Sequence, residues 1–509
     1  MNRRQLLKSL GLLGLNAGIG SNTAAFASEL VKLSKTNASL SPELAFSSSF
    51  LSIPESYEPT RVKFDRALPS ELRGTLFRNG PAKMQRGDTQ YHHWFDGDGM
   101  VHSFDLHGSE LVHRAKMVQT TKLIEEKSAG RFLRDGFGTH LSDALPVLKP
   151  DDLNVANISV LPLGEEVLAL WEAGSAWRLD AKTLDTLGRK VFSPETDGVS
   201  FSAHPRMDPD GHLWNFGYLS GAGKLVIYDM SAKGELNRTQ VIDATHTNMV
   251  HDFAVTERFI VFVLMPITFE GRHDVSFADM LGWDEDGSVE ILLVDKATLN
   301  VQHRFELPPF FAFHFGNAWE DGKQLRIEVA TSEPWKEFNT SVKNAVAGKL
   351  PTRAEIESRD LAKAQEIILD LDTKTARSET LPFSRAEFPS FDPRFAGYRT
   401  QSLSMLTRTQ DLPDAVFGFN QISRFDRKQD SVANWTYGNN FIAEEHVFVP
   451  KTGAKVGSGW LVGTAFDWEN SKTTLSVFNA EAVQDGPIST CNLPYHLPLG
   501  FHGKFVKAA

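Results

Sequence analysis

Short apolar runs separated by turn residues dominate the chain from about residue 60 onward. The runs span roughly four to eight residues and are rich in Val, Ile, Leu and Phe, as is typical of β-strands. The clearest are Glu166–Glu172, Lys224–Met230, Phe259–Met265, Ser288–Asp295, Gln324–Ala330, Glu366–Asp372, His446–Pro450 and Thr473–Asn479. Asp-Gly and Pro-Asp-Gly turns lie between them. The pattern predicts an all-β protein with many strands.

Helical patterns are few and interrupt this β pattern. We expect helices at Thr352–Gln365, Asn344–Gly348 and Lys122–Gly130, as insertions on a β scaffold. No Pro/Ser-rich linker divides the chain, which favours one domain over residues 59–509, preceded by an arm at 28–58. A strict internal repeat is absent, which argues against a regular WD-type array. A divergent propeller remains compatible, because a blade requires only four strands and no shared motif.

The first 27 residues have the features of an export signal. A charged start with Arg3 and Arg4 precedes a short apolar stretch, Leu10–Gly20, and then the small-x-small sequence Ala25–Ala27. The apolar stretch is too short to span a bilayer. The paired arginines predict a Tat signal and a periplasmic location. A Sec signal or an uncleaved N-terminal helix is the alternative interpretation.

Composition narrows the candidate chemistry. The chain of 509 residues carries a formal net charge of −11 and no basic stripe, which argues against nucleic-acid binding. Its one cysteine, Cys491, cannot form an internal disulfide or a thiolate cluster. A metal site would therefore use His, Asp or Glu, and 16 histidines are available.

Four histidines lie in distinctive local sequences. These are His204 in Ser-Ala-His-Pro-Arg, His251 in Met-Val-His-Asp-Phe, His314 in Ala-Phe-His-Phe-Gly and His502 in Gly-Phe-His-Gly. They are 47, 63 and 188 residues apart, and no compact metal motif such as HExxH joins them. On spacing alone, each is more often a structural histidine than a metal ligand.

These segments, together with Phe77–Pro81 and Tyr91–His102, resemble the carotenoid cleavage oxygenase family from about residue 55 to the end. The resemblance implies a seven-bladed β-propeller with a helical cap over an Fe(II) ion on the propeller axis. It assigns the four histidines above as ligands from different blades. The implied reaction uses O2 to cleave an alkene C=C into two carbonyl products without an organic cofactor. Imidazole ligands alone suit iron, zinc or copper.

The same resemblance assigns three glutamates to hydrogen bonds with the ligand imidazoles. They are Glu172, Glu387 and Glu445, with Glu444 as a neighbouring alternative to the third. Such carboxylates fix the orientation of a ligating ring and make its nitrogen more basic. Taken singly, each is more often a glutamate at a strand end or on the surface.

Two substrate classes fit the family. Most members cleave carotenoids or apocarotenoids, and the amino-acid sequence of residues 91–102 resembles that of those members. A second branch cleaves phenolic stilbenes and contacts the phenol through a lysine and a tyrosine. Lys122 stands where the carotenoid-cleaving members usually have Gly, and Tyr91 is the candidate tyrosine. A solvated lysine at the start of a helix is the simpler interpretation of Lys122.

The expected partners are therefore an apolar conjugated small molecule and O2, with peripheral membrane contact as a further expectation. Neither nucleic acid nor an obligate protein partner is expected. Two other functions remain open at this stage. One is a non-catalytic exported propeller that binds a lipid or a protein, and the other is an alkene isomerase.

Overall fold

Seven antiparallel sheets follow one another along the chain in the computed structural model, which describes residues 40–272 and 274–508. Each sheet is a blade, and the predicted all-β seven-bladed propeller is confirmed. The predicted leader, residues 1–27, and the first part of the predicted arm lie outside the described residues.

The first blade has five strands and the next three have four each. Blade 1 comprises Ser56–Lys63, Gly74–Lys83, Asp98–His107, Glu110–Met117 and Gly503–Lys507. Blade 2 comprises Ser159–Leu163, Glu166–Leu170, Trp177–Asp180 and Thr186–Arg189. Blade 3 comprises Arg206–Met207, His212–Tyr218, Lys224–Ser231 and Leu236–Asp243. Blade 4 comprises Ala254–Val255, Phe259–Leu264, Val289–Asp295 and Val301–Leu307.

The last three blades have four strands each, and two small hairpins complete the set. Blade 5 comprises Phe311–Asp321, Gln324–Ser332, Lys363–Asp370 and Thr375–Ser384. Blade 6 comprises Ala386–Ser390, Ser402–Thr407, Gln421–Asp426 and Ser431–Thr436. Blade 7 comprises Phe441–Pro450, Gly459–Asp467, Lys472–Asn479 and Pro487–Asn492. The hairpins pair Gln85–Arg86 with Thr89–Gln90 and Ile267–Phe269 with Leu281–Trp283.

The C-terminal strand closes the ring of blades. Gly503–Lys507 pairs antiparallel with Gly74–Lys83, so the two ends of the propeller share blade 1. Two main-chain hydrogen bonds fix the approach to this strand: Asn79 N donates to His502 O and Phe501 N donates to Asn79 O, both at 2.9 Å. Closure therefore places His502 beside residues more than 400 positions earlier in the chain.

The hydrophobic core lies between successive blades. Strand Phe259–Leu264 is buried along its whole length, because each of its faces packs on another sheet. Continuous apolar runs of this kind are expected for strands covered on both faces. The eight strands predicted from the sequence are all present, with small shifts at their ends.

The described part of the chain has five α-helices and several 3-10 turns, most of them between strands. The helices are α1 (Ala45–Ser48), α2 (Thr121–Ala129), α3 (Phe277–Met280), α4 (Trp335–Val346) and α5 (Arg353–Ser358). The 3-10 turns are Pro42–Leu44, Trp94–Asp96, Pro150–Asp152, Pro194–Thr196, Arg359–Leu361, Pro393–Phe395 and Ala480–Asp485. Helix α2 confirms the prediction at residues 122–130.

The other two predicted helices need correction. The prediction of one helix over Thr352–Gln365 is wrong in its second half. A capping box formed by Thr352 and Glu355 starts α5, but the backbone from Lys363 joins blade 5 as a strand. Helix α4 begins nine residues before the predicted Asn344, directly after Pro334, a residue that suits a helix start.

The segment before blade 1 packs against the propeller from residue 40 onward. The Phe46 ring lies 5.0 Å from the Trp94 ring and 5.1 Å from the Phe417 ring, measured between centroids. Strand Ser56–Lys63 contains the predicted boundary between residues 58 and 59. Among the described residues, no helix is both long enough and apolar enough to cross a membrane.

Candidate metal centre

The four histidines singled out by sequence meet at one point. His204 and His251 lie two and three positions before the first strands of blades 3 and 4, and His314 lies in the first strand of blade 5. His502 precedes the strand that closes blade 1. The first strands of neighbouring blades contact one another around the axis, so residues at their ends converge there. Ligands on separate blades must be tens of residues apart, which explains the wide spacing.

The distances between the ring nitrogens fit a shared metal ion. The Nε2 atom of His251 lies 2.9 Å from that of His204 and 3.3 Å from that of His314. The Nε2 atoms of His314 and His502 are 3.0 Å apart. A metal–nitrogen bond of about 2.1 Å places two ligands at right angles about 3.0 Å apart. The four nitrogens therefore suit neighbouring positions around one ion.

The electrostatic setting of His204 favours a neutral imidazole. Burial, followed by the three neighbouring imidazoles, lowers the pKa of His204 well below its ordinary value. A neutral imidazole keeps the lone pair that a metal requires. Each of the four histidines offers one such nitrogen, and the four atoms lie within 4.8 Å of one another. The set thus fits a divalent metal that favours imidazole ligands.

Three carboxylates hold the outer nitrogens of these rings. Nδ1 of His251 lies 2.7 Å from Glu172, and Nδ1 of His314 lies 2.6 Å from Glu387. Nδ1 of His502 lies 3.1 Å from Glu445. In each pair the carboxylate accepts a hydrogen bond from Nδ1–H, so Nε2 is the nitrogen that is free to bind a metal.

The ambiguity between Glu444 and Glu445 is resolved by their contacts. Glu445 also accepts a 2.7 Å hydrogen bond from Gly503 N, next to His502. Burial alone would raise the pKa of Glu445, but His502 and Gly503 N together hold it below the ordinary value. Glu444 points elsewhere and pairs with the buried Arg78.

Irregular strand pairing directs these side chains toward the axis. The register shifts beside His314, again between Glu387 and Ser390, and again between Ala443 and His446. Such bulges change the direction of a side chain and are common beside active sites. Phe388, next to Glu387, also has a positive φ of 55°.

A cavity of about 810 Å³ reaches the metal centre, with His251, His314 and His502 in its wall. Aromatic rings supply much of the remaining wall. They are Trp94, Phe95, Phe137, Trp171, Phe269, Phe277, Phe313, Phe338, Phe388, Phe417, Phe419 and Phe501. The arrangement can hold an elongated apolar molecule against the metal.

Lys122 and Tyr91 are neighbours, at 2.7 Å between Nζ and the hydroxyl oxygen. Lys122 is only 1% exposed, so its interpretation as a solvated lysine is wrong. Its ammonium also donates to Asp98 at 3.3 Å and to Glu126 at 2.8 Å. Lys122 forms part of the cavity wall, whereas Tyr91 is fully buried and does not line the cavity.

The protonation states of Lys122 and Tyr91 follow from their surroundings. Burial alone would lower the pKa of Lys122, but Asp98, Tyr91 and Glu126 together raise it above the ordinary value. Burial raises the pKa of Tyr91 well above the ordinary value, although Lys122 opposes this effect. At neutral pH a charged lysine therefore faces a neutral tyrosine.

Two residues that support the site residues, Tyr218 and Glu126, were not identified from the sequence. Tyr218 donates its hydroxyl proton to Glu172 and so supports the carboxylate that holds His251. No local sequence signal pointed to it. Glu126 lies four residues after Lys122, and this helical spacing could have indicated the pair.

Known proteins match this chain over most of its length. The family model described as retinal pigment epithelial membrane protein matches residues 50–507. An isoeugenol monooxygenase from Pseudomonas nitroreducens is 26% identical over 469 residues, 88% of this chain and 96% of that protein. An apocarotenoid-15,15'-oxygenase from Synechocystis is 25% identical over 476 residues, 90% of this chain and 95% of that protein.

Solved structures share the fold. A cobalt-substituted Synechocystis apocarotenoid oxygenase superposes with a TM-score of 0.79 at 24% identity, covering 92% of this chain and 99% of that chain. A chimera of that enzyme with the retinal pigment epithelial protein gives a TM-score of 0.80 at 24% identity, covering 92% and 100%. These matches support the propeller assignment.

Proposed function

We propose a function for this protein on the basis of its family. The chain belongs to the carotenoid cleavage oxygenase family, whose family model covers residues 50–507. The predicted enzyme class, an oxidoreductase that cleaves C=C bonds with O2, is confirmed at the level of the family. We infer that the metal is Fe(II) and that the substrate is a carotenoid or apocarotenoid. The observation that carries this proposal is the aromatic cavity that ends at the four histidines.

The proposed overall reaction converts R–CH=CH–R′ and O2 into R–CHO and R′–CHO. Both oxygen atoms of O2 enter the products, so no external reductant is needed. Bound iron would supply O2 activation. His204, His251, His314 and His502 would hold the ion as neutral ligands, and the carboxylate partners of the last three would keep those rings fixed.

The cavity supports a long apolar substrate. Its volume of about 810 Å³ lies near the upper end of the roughly 300–1,000 Å³ typical of small-molecule sites. Aromatic walls such as Phe313, Phe338 and Phe501 exclude water and offer flat surfaces to a conjugated chain. The alkene would then lie against the histidines without a hydrogen-bonding anchor at the reacting carbons.

The substrate assignment is tested with the iron-reconstituted protein and a panel of alkenes under 18O2. We expect an apocarotenal to give two carbonyl products. Rapid borohydride reduction should trap each newly formed carbonyl as an alcohol that carries one 18O. Unoxidised, rearranged product would instead identify an isomerase. Absence of any reaction with iron bound would favour the non-catalytic binding protein.

A phenolic stilbene or phenylpropene is the second candidate substrate. The pairing of Lys122 with Tyr91 favours it, because Tyr91 has no partner for its own hydroxyl proton among the described residues. Isoeugenol, after which one relative is named, is itself a 4-hydroxyphenyl alkene. Tyr91 itself is fully buried, so a phenol would have to displace the cavity wall beside Lys122 to accept the Tyr91 proton.

If the phenol binds there, Tyr91→Phe lowers kcat/KM for a 4-hydroxystilbene by at least about tenfold, since a hydrogen bond to a charged or ionising group contributes about 1.5–3 kcal/mol. Turnover of an apocarotenal should not change. Tyr228→Phe is the control, because this buried hydroxyl bonds Ser200 O and lies away from the cavity. Equal losses on both substrates would refute phenol recognition.

Export to the periplasm through the Tat pathway is also a proposal, supported by Arg3 and Arg4. Peripheral membrane contact is supported by exposed apolar side chains at and near the cavity, namely Leu145, Leu148 and Phe269. Cell fractionation tests both. Wild type should reach the periplasm, partly as a salt-resistant membrane fraction, whereas the double variant Arg3→Lys, Arg4→Lys should stay in the cytoplasm. Periplasmic arrival of that variant would exclude the Tat route.

A further inference from the structure

Three arginines line one side of the cavity. Arg359 begins the 3-10 turn after α5, Arg385 directly precedes blade 6, and Arg408 follows the second strand of that blade. One buried carboxyl, Glu333, lies in the same part of the wall. Three guanidinium groups in a mainly aromatic cavity are unusual, because burying a charge without a partner is costly.

Among the described residues, none of the three arginines forms an ion pair with a carboxylate that lines the cavity. The terminal nitrogens of Arg408 donate to the main-chain carbonyls of residues 412, 413, 416 and 418, and its Nε has no acceptor among the described residues. Arg359 donates to Asp414 O at 2.7 Å. Arg385 pairs with Asp360, whose side chain is 69% exposed and outside the cavity lining.

The three guanidinium groups outnumber the one carboxyl in this part of the wall, although Glu355 and Asp414, which do not line the cavity, also favour the charged form of Arg359. Burial, together with Arg359 and Arg385, lowers the pKa of Arg408 to about 10, which still leaves it charged at neutral pH. Burial raises the pKa of Glu333 to about 7, although Arg359 opposes this, so that carboxyl is partly neutral. In its protonated form Glu333 could also donate a hydrogen bond to an anion.

The arginines and Lys122 belong to different segments of the chain that line the same cavity. Helix α2, with Lys122, connects blade 1 to blade 2. Arg359 belongs to an insertion within blade 5, and Arg385 and Arg408 belong to blade 6. The same cavity has His251, His314 and His502 in its wall, so a molecule bound at the arginines can extend to these histidines.

We propose that Arg359, Arg385 and Arg408 form a carboxylate-binding site, and that the substrate is a conjugated alkene with a carboxylate at one end. This inference rests on the proposed function and specifies its substrate class. The carboxylate would give Arg359 and Arg408 a direct anionic partner in place of the main-chain carbonyls alone, and its distance from the alkene would select the bond presented to the histidines. Cleavage then yields one neutral aldehyde and one aldehyde that keeps the carboxylate.

Binding is measured with a probe that cannot be cleaved. The saturated 4-hydroxybibenzyl-4′-carboxylate and its methyl ester are titrated into the metal-loaded protein, with tryptophan fluorescence as the readout. We expect the acid to bind at least about tenfold more tightly than the ester, as for a charge-assisted pair. Arg359→Met should remove that preference by weakening the acid alone, and Arg359→Lys should retain part of it.

Arg353→Met is the matched control. Arg353 lies on the adjoining α5 and is 91% exposed, and its ion pair is with Glu357, outside the cavity. This variant should bind acid and ester as wild type does. Equal binding of acid and ester by wild type, or equal weakening of both in Arg359→Met, would overturn the carboxylate site.

Cleavage assays separate this inference from the proposed function and identify the source of the carboxylate. The alkenes are a hydroxystilbene carboxylate and an apocarotenoate, each compared with its methyl ester. A preference for one acid that Arg359→Met abolishes supports the site and names the class. Equal cleavage of acids and esters refutes the site but leaves the dioxygenase intact. No cleavage of any alkene, with arginine-dependent binding of the acid probe, refutes the dioxygenase but supports the site.

Discussion

Replacing His251 with alanine reduces the iron that the protein retains and brings alkene cleavage to background. The Nε2 atom of His251 lies 2.9 Å from that of His204 and 3.3 Å from that of His314, so its loss opens one side of the ligand set. It also leaves Glu172 without the ring it holds. Loss of an outer partner alone costs about 10- to 100-fold in metal affinity, and loss of a ligand should cost more.

The measurement is metal content after anaerobic reconstitution with Fe(II) and gel filtration, followed by the cleavage assay. His303→Ala is the control, because His303 lies on the outer strand of blade 4, contacts Lys374 and is absent from the cavity wall. It should keep full iron and full turnover. A His251→Ala protein with one iron per chain would show that the ion is bound elsewhere.

The metal centre could be predicted from the sequence because its residues lie in recognisable segments, not because their spacing revealed them. His314 and Glu387 are 73 positions apart and meet at 2.6 Å. The contact depends on a bulge beside each residue and on the contact between blades 5 and 6. Neither feature follows from alternating polarity, since a bulge adds a residue without changing the apolar character of the strand.

The charged groups at the cavity could be predicted only in part. Lys122 was found from its segment, and Glu126 could have been found from its helical spacing. The partnership with Asp98 could not, because Asp98 lies in an Asp-Gly-Asp-Gly sequence that indicates a turn. Two of the three arginines belong to blade 6 and the third to a turn in the insertion of blade 5, and they share one wall only in the folded protein.

Lys122→Ala lowers the free energy of unfolding by about 3–5 kcal/mol, the usual cost of leaving buried charges without their partner. The ammonium is the shared partner of Asp98 and Glu126, and all three side chains are at most 1% exposed. Arg86 still pairs with Asp98 at 3.1 Å, so the uncompensated charge falls mainly on Glu126. Urea unfolding of the metal-loaded protein, followed by tryptophan fluorescence, measures the change.

Two variants make this result specific. Lys127→Ala, on the same helix, removes an exposed pair with Glu55 and should cost at most about 1 kcal/mol. Adding Glu126→Gln to Lys122→Ala should recover part of the loss, because it removes the stranded charge. If Lys122→Ala costs no more than Lys127→Ala, the ammonium is not the electrostatic partner of this group. If Lys122→Ala lowers the free energy of unfolding as expected, a loss of activity in that variant could come from a damaged cavity wall. Tyr91→Phe keeps every charge in place and is therefore the informative test of phenol binding.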